Sequence, residues 1–189
     1  MNADLAERLR TLARAEPRLM RALQAARELG LQDWYIAAGA VRNPVWDRLF
    51  GCISPAGDVD LVYFDAADTD PQRDRALQSQ LQARAPEWDW EVVNQAGVHH
   101  WYEAAFGHAI APYQSLADAL ASWPETATAV GLRLEPDEHL TVLAPLGLQD
   151  LFRGVLRRNP AGGKVAQFQQ RLVDKRFLQR WPGLRLLLD

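Results

Sequence analysis

Two aspartates separated by one valine, Asp58-Val59-Asp60, open an apolar run that continues Leu61-Val62-Tyr63-Phe64. The run predicts a strand over 59–64, buried on both faces, with its acids at the entrance. Alternate strand residues share a face, so both carboxylates point the same way, with Cα atoms about 7 Å apart. Burying them beside Val59, Leu61 and Val62 is costly without a partner, and a cation offsets that cost. Upstream, Trp-Tyr-Ile-Ala-Ala at 34–38 predicts another strand, and Gly39-Ala40 a small-residue turn. A helix over 42–50 follows, closed by Phe50-Gly51, with Pro44 in its tolerant first turn. Val45, Trp46 and Leu49 read as core or near-core; Trp46 as a base-stacking platform is the minor alternative. Glycine at a strand tip lets the backbone approach a ligand. The helix amides behind it suit an anion. An anion cradle beside carboxylates able to hold a divalent metal suggests nucleotide chemistry. The plainer reading is a helix-start turn at Gly39, a turn-exit acid at Asp58 and a salt-bridged Asp60.

The remaining chain reads as alternating helices and strands. Leu5, Leu9, Leu12 and Ala13 set a helix over 4–15, and Leu19, Ala22, Leu23 and Ala26 one over 17–29, with Gly30 as cap. Both helices are expected to cover a sheet; a partner-binding helix pair is the alternative. Asp70-Pro71 starts a helix through 85 with Leu77 and Leu81 inward, and Asp68, Asp70 and Asp74 suit its positive end. Strand 88–94 puts Trp90, Val92 and Asn94 on one face, Glu91 and Val93 on the other. A short helix is expected over 98–105 before Gly107, and Ser115 caps another over 116–122. Strands are expected over 127–134 and 140–144, a helix over 148–156, a loop over 159–163 and a basic helix over 165–179.

With 189 residues, 48% of them hydrophobic and 24% charged, the chain can bury one sizeable core. The expectation is a single domain, 1–189, with 1–30 as a helical cover and 164–180 as a C-terminal helix. A net charge of −3 supplies no global field for nucleic acid. The lone Cys52 excludes an intrachain disulfide, and one cysteine with four histidines gives no structural zinc spacing. The N-terminus does not read as a secretory signal, and no apolar run approaches the roughly 20 residues that span a bilayer. A cytoplasmic protein without membrane contact is expected.

The apolar residue, Gly39, small Ala40 and the Asp58-Val59-Asp60 strand resemble the polymerase-beta-type nucleotidyltransferase superfamily. Ala38-Gly39-Ala40-Val41-Arg42-Asn43, Asn94-Gln95-Ala96, Trp123-Pro124-Glu125-Thr126 and Ala144-Pro145-Leu146-Gly147-Leu148 narrow the likeness. Together they resemble a bacterial family of nucleotidyltransferases without an assigned substrate, over roughly 34–181. The resemblance implies an α+β fold, a mixed sheet flanked by helices with the glycine turn and paired acids at a cleft. It implies transfer of an NMP group from an NTP, with Mg²⁺ or Mn²⁺ on Asp58 and Asp60 and a third carboxylate at Glu91. Asp65 is the other candidate for that carboxylate. Gly39, Ala40, Arg42 and Asn43 would hold the nucleotide. The chain departs from the superfamily at Ala40, where Ser or Gly is usual, and in a longer interval between Gly39 and Asp58.

The resemblance supplies no acceptor, which could be a small molecule, a protein side chain or an RNA end, and no oligomeric state. Glu125, His99 and His100 are further candidates; plainer roles are a cap for Glu125 and ordinary surface or core histidines. Arg133, Lys164, Arg171 and Lys175 are cations able to neutralise a triphosphate, with Arg171 and Lys175 on one helix face. Arg42 reads either as a phosphate clamp or as a solvated helix arginine. Two other functions fit the same residues: a nucleotide-binding module without turnover, and an interaction protein using its N-terminal helices.

Overall fold

The computed structural model describes residues 2–55, 57–162 and 165–188. Lys164 lies outside them. Five strands form the main sheet: β1 (Trp34–Ala37), β2 (Asp58–Tyr63), β3 (Asp89–Asn94), β4 (Gly131–Leu134) and β5 (Leu140–Leu143), in the order β3-β2-β1-β4-β5. Only β2 and β3 run parallel; the other neighbours are antiparallel. The helix α3 (Gly39–Phe50) links β1 to β2, and α4 (Pro71–Arg84) carries the chain from β2 to β3.

The two faces of the sheet differ. Trp34, Ile36, Val59, Leu61, Tyr63, Trp90 and Val92 join the large core under α1 (Asn2–Arg14) and α2 (Pro17–Arg27). Leu9, Ala13, Leu19, Ala22, Leu23 and Ala26 are buried there, so the N-terminal pair packs as a cover. On the other face Tyr35, Ala37 and Val62 meet Leu116 and Leu120 of α6 (Leu116–Ala121) in a smaller cluster. Strand alternation puts Asp58 and Asp60 on that same face as Val62. The smaller helix layer leaves room there for a groove. The mixed sheet flanked by helices is the α+β architecture expected from the sequence.

Several elements depart from the sequence reading. Helix α3 begins at Gly39, because Ala38 turns the chain with φ 52° and ψ −124° and caps the helix with its carbonyl. That conformation is costly for an L-residue, on the order of 1 kcal/mol. Pro44 therefore sits beyond the first turn, and Leu49 is 46% exposed rather than core. Residues 127–130 are not strand; Thr128 and Ala129 amides bond the Glu125 carbonyl in a turn. The helix expected over 148–156 shrinks to α7 (Gln149–Phe152), then Gly154 at φ +62° starts β6 (Val155–Arg157). That strand pairs in parallel with β7 (Arg185–Leu187), a long-range partner invisible to local periodicity. The final helix breaks at Arg176, φ 51°, into α8 (Val165–Asp174) and α9 (Phe177–Arg180). The interval after Gly39 is held by Asp47, which accepts hydrogen bonds from Ser54 and from Trp181 Nε1 at 2.7 Å.

Candidate active site

Strand register assembles the acids. Asp60 lies opposite Glu91 in the parallel β2–β3 ladder and opposite Ala37 at the end of β1. Asp58, Asp60 and Glu91 each offer a carboxylate oxygen within 4.8 Å of the others. Ala37 leads directly into the Gly39 turn, so the acids and the start of α3 meet at one sheet edge. A groove of about 620 Å³ runs past them, lined among others by Gly39, Arg42, Asn43, Asp58, Asp60 and Glu91. Asp65, the other candidate third acid, lies elsewhere; it pairs with Arg73 at 2.5 Å.

Burial pushes the Asp60 carboxyl up to about 7, and the charges of Asp58 and Glu91 add to the rise. Lys175 and Arg42 oppose it weakly. Lys175 Nζ stands 3.3 Å from Asp58 Oδ2. Three oxygen-donor carboxylates crowded this closely suit a hard divalent cation such as Mg²⁺ or Mn²⁺.

Gly39 has an ordinary φ, and a Cβ there would stand 3.6 Å from Asn43 Nδ2 and 3.7 Å from Arg42 Nη2, without internal clash. The fold does not require glycine at that point; its absent side chain leaves groove space open. The first-turn amides at Gly39 and Ala40 have no intrahelical acceptor. The Ala40 side chain packs toward the core instead of lining the groove.

Arg42 is neither a solvated helix residue nor an open clamp. It is 4% exposed, with its guanidinium 5.1 Å from the Trp46 ring centroid and 4.8 Å from that of Phe177. Nη1 donates to Thr128 Oγ1 at 2.7 Å and Nη2 to Asn43 Oδ1 at 2.8 Å. Burial brings its pKa down to about 10. Trp46 is fully buried and donates to the Leu151 carbonyl, so it offers no face for a base. Glu125 is 0% exposed and accepts Arg171 Nε at 2.6 Å and Nη2 at 3.1 Å. It is a buried counter-ion, not a helix cap. Arg171 and Lys175 line the groove; Arg133 is held away from it by Glu135 at 2.7 Å. His99 and His100 also lie outside, with His100 Nε2 3.5 Å from Thr69 Oγ1.

Sequence reasoning missed two parts of the groove. Arg180, within the span 164–180 expected as a C-terminal helix but not among the candidate cations, lines it from α9. Trp101, Tyr102 and Phe106 from α5 (His99–Phe106), together with Tyr113 and Trp123, form an aromatic end. Trp101 is 43% exposed and Phe106 44%, an apolar surface open to a planar ring. The helical spacing of Trp101, Tyr102 and Phe106 resembles a core stripe, so local periodicity does not separate them from buried aromatics.

A family model described as nucleotidyltransferase matches residues 24–186. The chain belongs to this nucleotidyltransferase family. A solved NMR structure described as revealing a CCA-adding enzyme head domain is 31% identical, with a TM-score of 0.83. The match covers 97% of this chain and 96% of that one. A CCA-adding enzyme in complex with CTP matches 99% of this chain and 43% of its own, at 15% identity and TM-score 0.56. The Thermotoga maritima CCA-adding enzyme in complex with tRNA matches 92% of this chain and 40% of its own, at 16% identity and TM-score 0.53. Those two likenesses show the fold, and the chain spans less than half of each of those two enzymes. Curated protein sequences gave no match. The chain is a nucleotidyl-transferring enzyme by family. Among the described residues, no helix is long and apolar enough to cross a membrane.

Proposed function

We propose that this chain transfers an NMP group from an NTP to a hydroxyl acceptor, releasing pyrophosphate, with Mg²⁺ or Mn²⁺ as cofactor. The observation that carries the reading is the acid cluster of Asp58, Asp60 and Glu91, within 4.8 Å, facing the same groove as Gly39. Asp58 and Asp60, with Glu91, would hold the metal, which when bound neutralises phosphate charge and polarises the phosphorus. Gly39 leaves space for the polyphosphate, and the amides of Gly39 and Ala40 offer it donors. Asn43 fixes the Arg42 fork beside that space.

In the reaction the acceptor oxygen forms a bond to the α-phosphorus as the bond to the bridging oxygen breaks. Pyrophosphate leaves with that electron pair. Glu91, the most exposed of the three acids, takes the acceptor proton or orients the hydroxyl that loses it to water. Catalysis then rests mainly on positioning and charge neutralisation.

An RNA end is the acceptor class this reading favours. The solved relatives described as CCA-adding enzymes include complexes with CTP and with tRNA. The exposed aromatic end of the groove suits a stacked base. Small-molecule and protein hydroxyls are the competing classes. Pyrophosphate release should be measured with each NTP, Mg²⁺ and three acceptors: a tRNA lacking its 3′ end, a polyol and a Tyr/Ser peptide. Release with tRNA that disappears in Asp58→Asn/Asp60→Asn supports the proposal. Saturable nucleotide binding without release on any acceptor would contradict turnover and leave a binding module.

A further inference from the structure

Three guanidinium groups converge along one wall of the groove. Arg42 comes from α3, Arg171 from α8 and Arg180 from α9. Arg171 and Arg180 each lower the Arg42 pKa, so the three are close enough to repel one another. Glu125 is their buried counter-ion, and Arg171 takes both of its oxygens. Burial alone would lower the Arg171 pKa, but the hydrogen bonds and charge of Glu125, helped by Asp60 and Asp58, leave it raised. Arg171 is thereby fixed as a charged wall rather than a free arm.

The other two arginines keep unused donors. Arg42 has given Nη1 and Nη2 to Thr128 and Asn43, and its buried Nε has no acceptor among the described residues. Arg180 Nε and Nη2 are buried with no acceptor either. The Arg180 guanidinium lies 4.4 Å from the Trp181 ring centroid. The left-handed Arg176 starts α9, which packs Phe177 and Trp181 beside Arg42 while Arg180 lines the groove. Folded chains leave few buried donors unpaired, and such groups call for an explanation. Repelling guanidiniums with donors to spare are satisfied by an oxyanion, and the fork of an arginine matches phosphoryl oxygens.

We infer that Arg180, backed by Arg42 and by the Glu125-locked Arg171, forms a phosphate pocket for the terminal phosphates of the nucleotide, independent of the metal. The identity of the anion rests on the nucleotidyl-transfer reading; the pocket itself does not. A phosphate carried by the acceptor shares the same chemistry. The tail of the NTP is favoured because Arg42, the innermost of the three, also borders the Gly39 space where the polyphosphate is placed.

Inorganic tripolyphosphate titrated calorimetrically in EDTA tests this without metal or turnover. Wild type should bind, and Arg180→Gln should lose about tenfold or more in affinity. Asp58→Asn/Asp60→Asn should bind at least as tightly as wild type, since negative charge nearby is removed. An NTP should displace the tripolyphosphate. The ligand-free melting temperature of Arg180→Gln should equal or exceed that of wild type, because a repelling charge goes and no hydrogen bond is lost. Should Arg180→Gln not fold, Arg180→Met, which keeps the stem over Trp181, replaces it. No binding by wild type, unchanged affinity in the Arg180 variant, or a lowered melting temperature with unchanged affinity would overturn the pocket. Additive binding of NTP and tripolyphosphate would overturn its assignment to the nucleotide. If tripolyphosphate binds in EDTA but no NTP turnover is found, the transfer reading fails while the pocket stands.

Discussion

Lys175 Nζ lies 3.3 Å from Asp58 Oδ2, so a cation in the turn just after α8 already faces the acid cluster that strand register assembles. Both side chains are partly exposed, 43% and 41%, so the pair is weak. A weak internal cation can give way to a stronger external one. Replacing it, Lys175→Met, should tighten Mn²⁺ binding without nucleotide by several-fold, read by paramagnetic resonance titration. Weaker Mn²⁺ binding in that variant would mean that the lysine supports the metal site instead of competing for it.

Asp60 gives the proposed metal site a pH dependence. Its carboxyl is raised to about 7 from an ordinary value of 3.8. Between those values the folded chain holds a proton here that the unfolded chain has released. The contribution of this group to stability is therefore largest at low pH, falls as pH rises to about 7 and levels off above it. Mn²⁺ binding should release a proton below pH 7 and tighten as pH rises to 7 and beyond, then flatten. Asp60→Asn should remove Asp60's contribution to the pH dependence and stabilise the metal-free chain at pH 8 by on the order of 2 kcal/mol. Chemical denaturation across pH checks both.

The Glu125–Arg171 pair should behave as a structural element. Removing the charge with Glu125→Gln leaves Arg171 and Arg42 without their buried counter-ion, at a cost of about 3 kcal/mol. The melting temperature should fall by about 6–12 °C. Adding Arg171→Met should recover part of that loss, since no uncompensated partner then remains.

Gly39→Ala separates fold from function. A Cβ there meets nothing closer than 3.6 Å, so stability should change by under about 1 kcal/mol. NTP affinity should fall about tenfold or more, because the methyl occupies the space beside Arg42 and Asn43. A normal affinity, measured by calorimetry with Mn²⁺, would mean that the polyphosphate passes elsewhere.

The central motif was legible because it is local. Asp58 and Asp60 announce themselves by a two-residue spacing inside an apolar strand, and Gly39 by its place between strand and helix. Glu91 was reachable from strand alternation, though its register against Asp60 belongs to the β2–β3 ladder and is written in neither strand alone. The roles of Arg42 and Glu125 were not legible. Charged residues in a sequence read as solvated, and only packing shows one among Trp46, Phe177 and Trp181 and the other sealed against Arg171. Arg180 and the β6–β7 pair were lost for a related reason. The Arg176 kink carries no glycine signal, and the strand partners lie far apart in the chain.

In the proposed site Asp58 and Asp60 hold a divalent cation that helps to hold an NTP. Calorimetric titration of a non-hydrolysable NTP with Mn²⁺, against wild type and Asp58→Asn/Asp60→Asn, tests it most directly. Wild type should bind saturably, with binding that weakens in EDTA, and the double variant should gain nothing from Mn²⁺. Equal affinity for both proteins, with the same response to Mn²⁺, would contradict it.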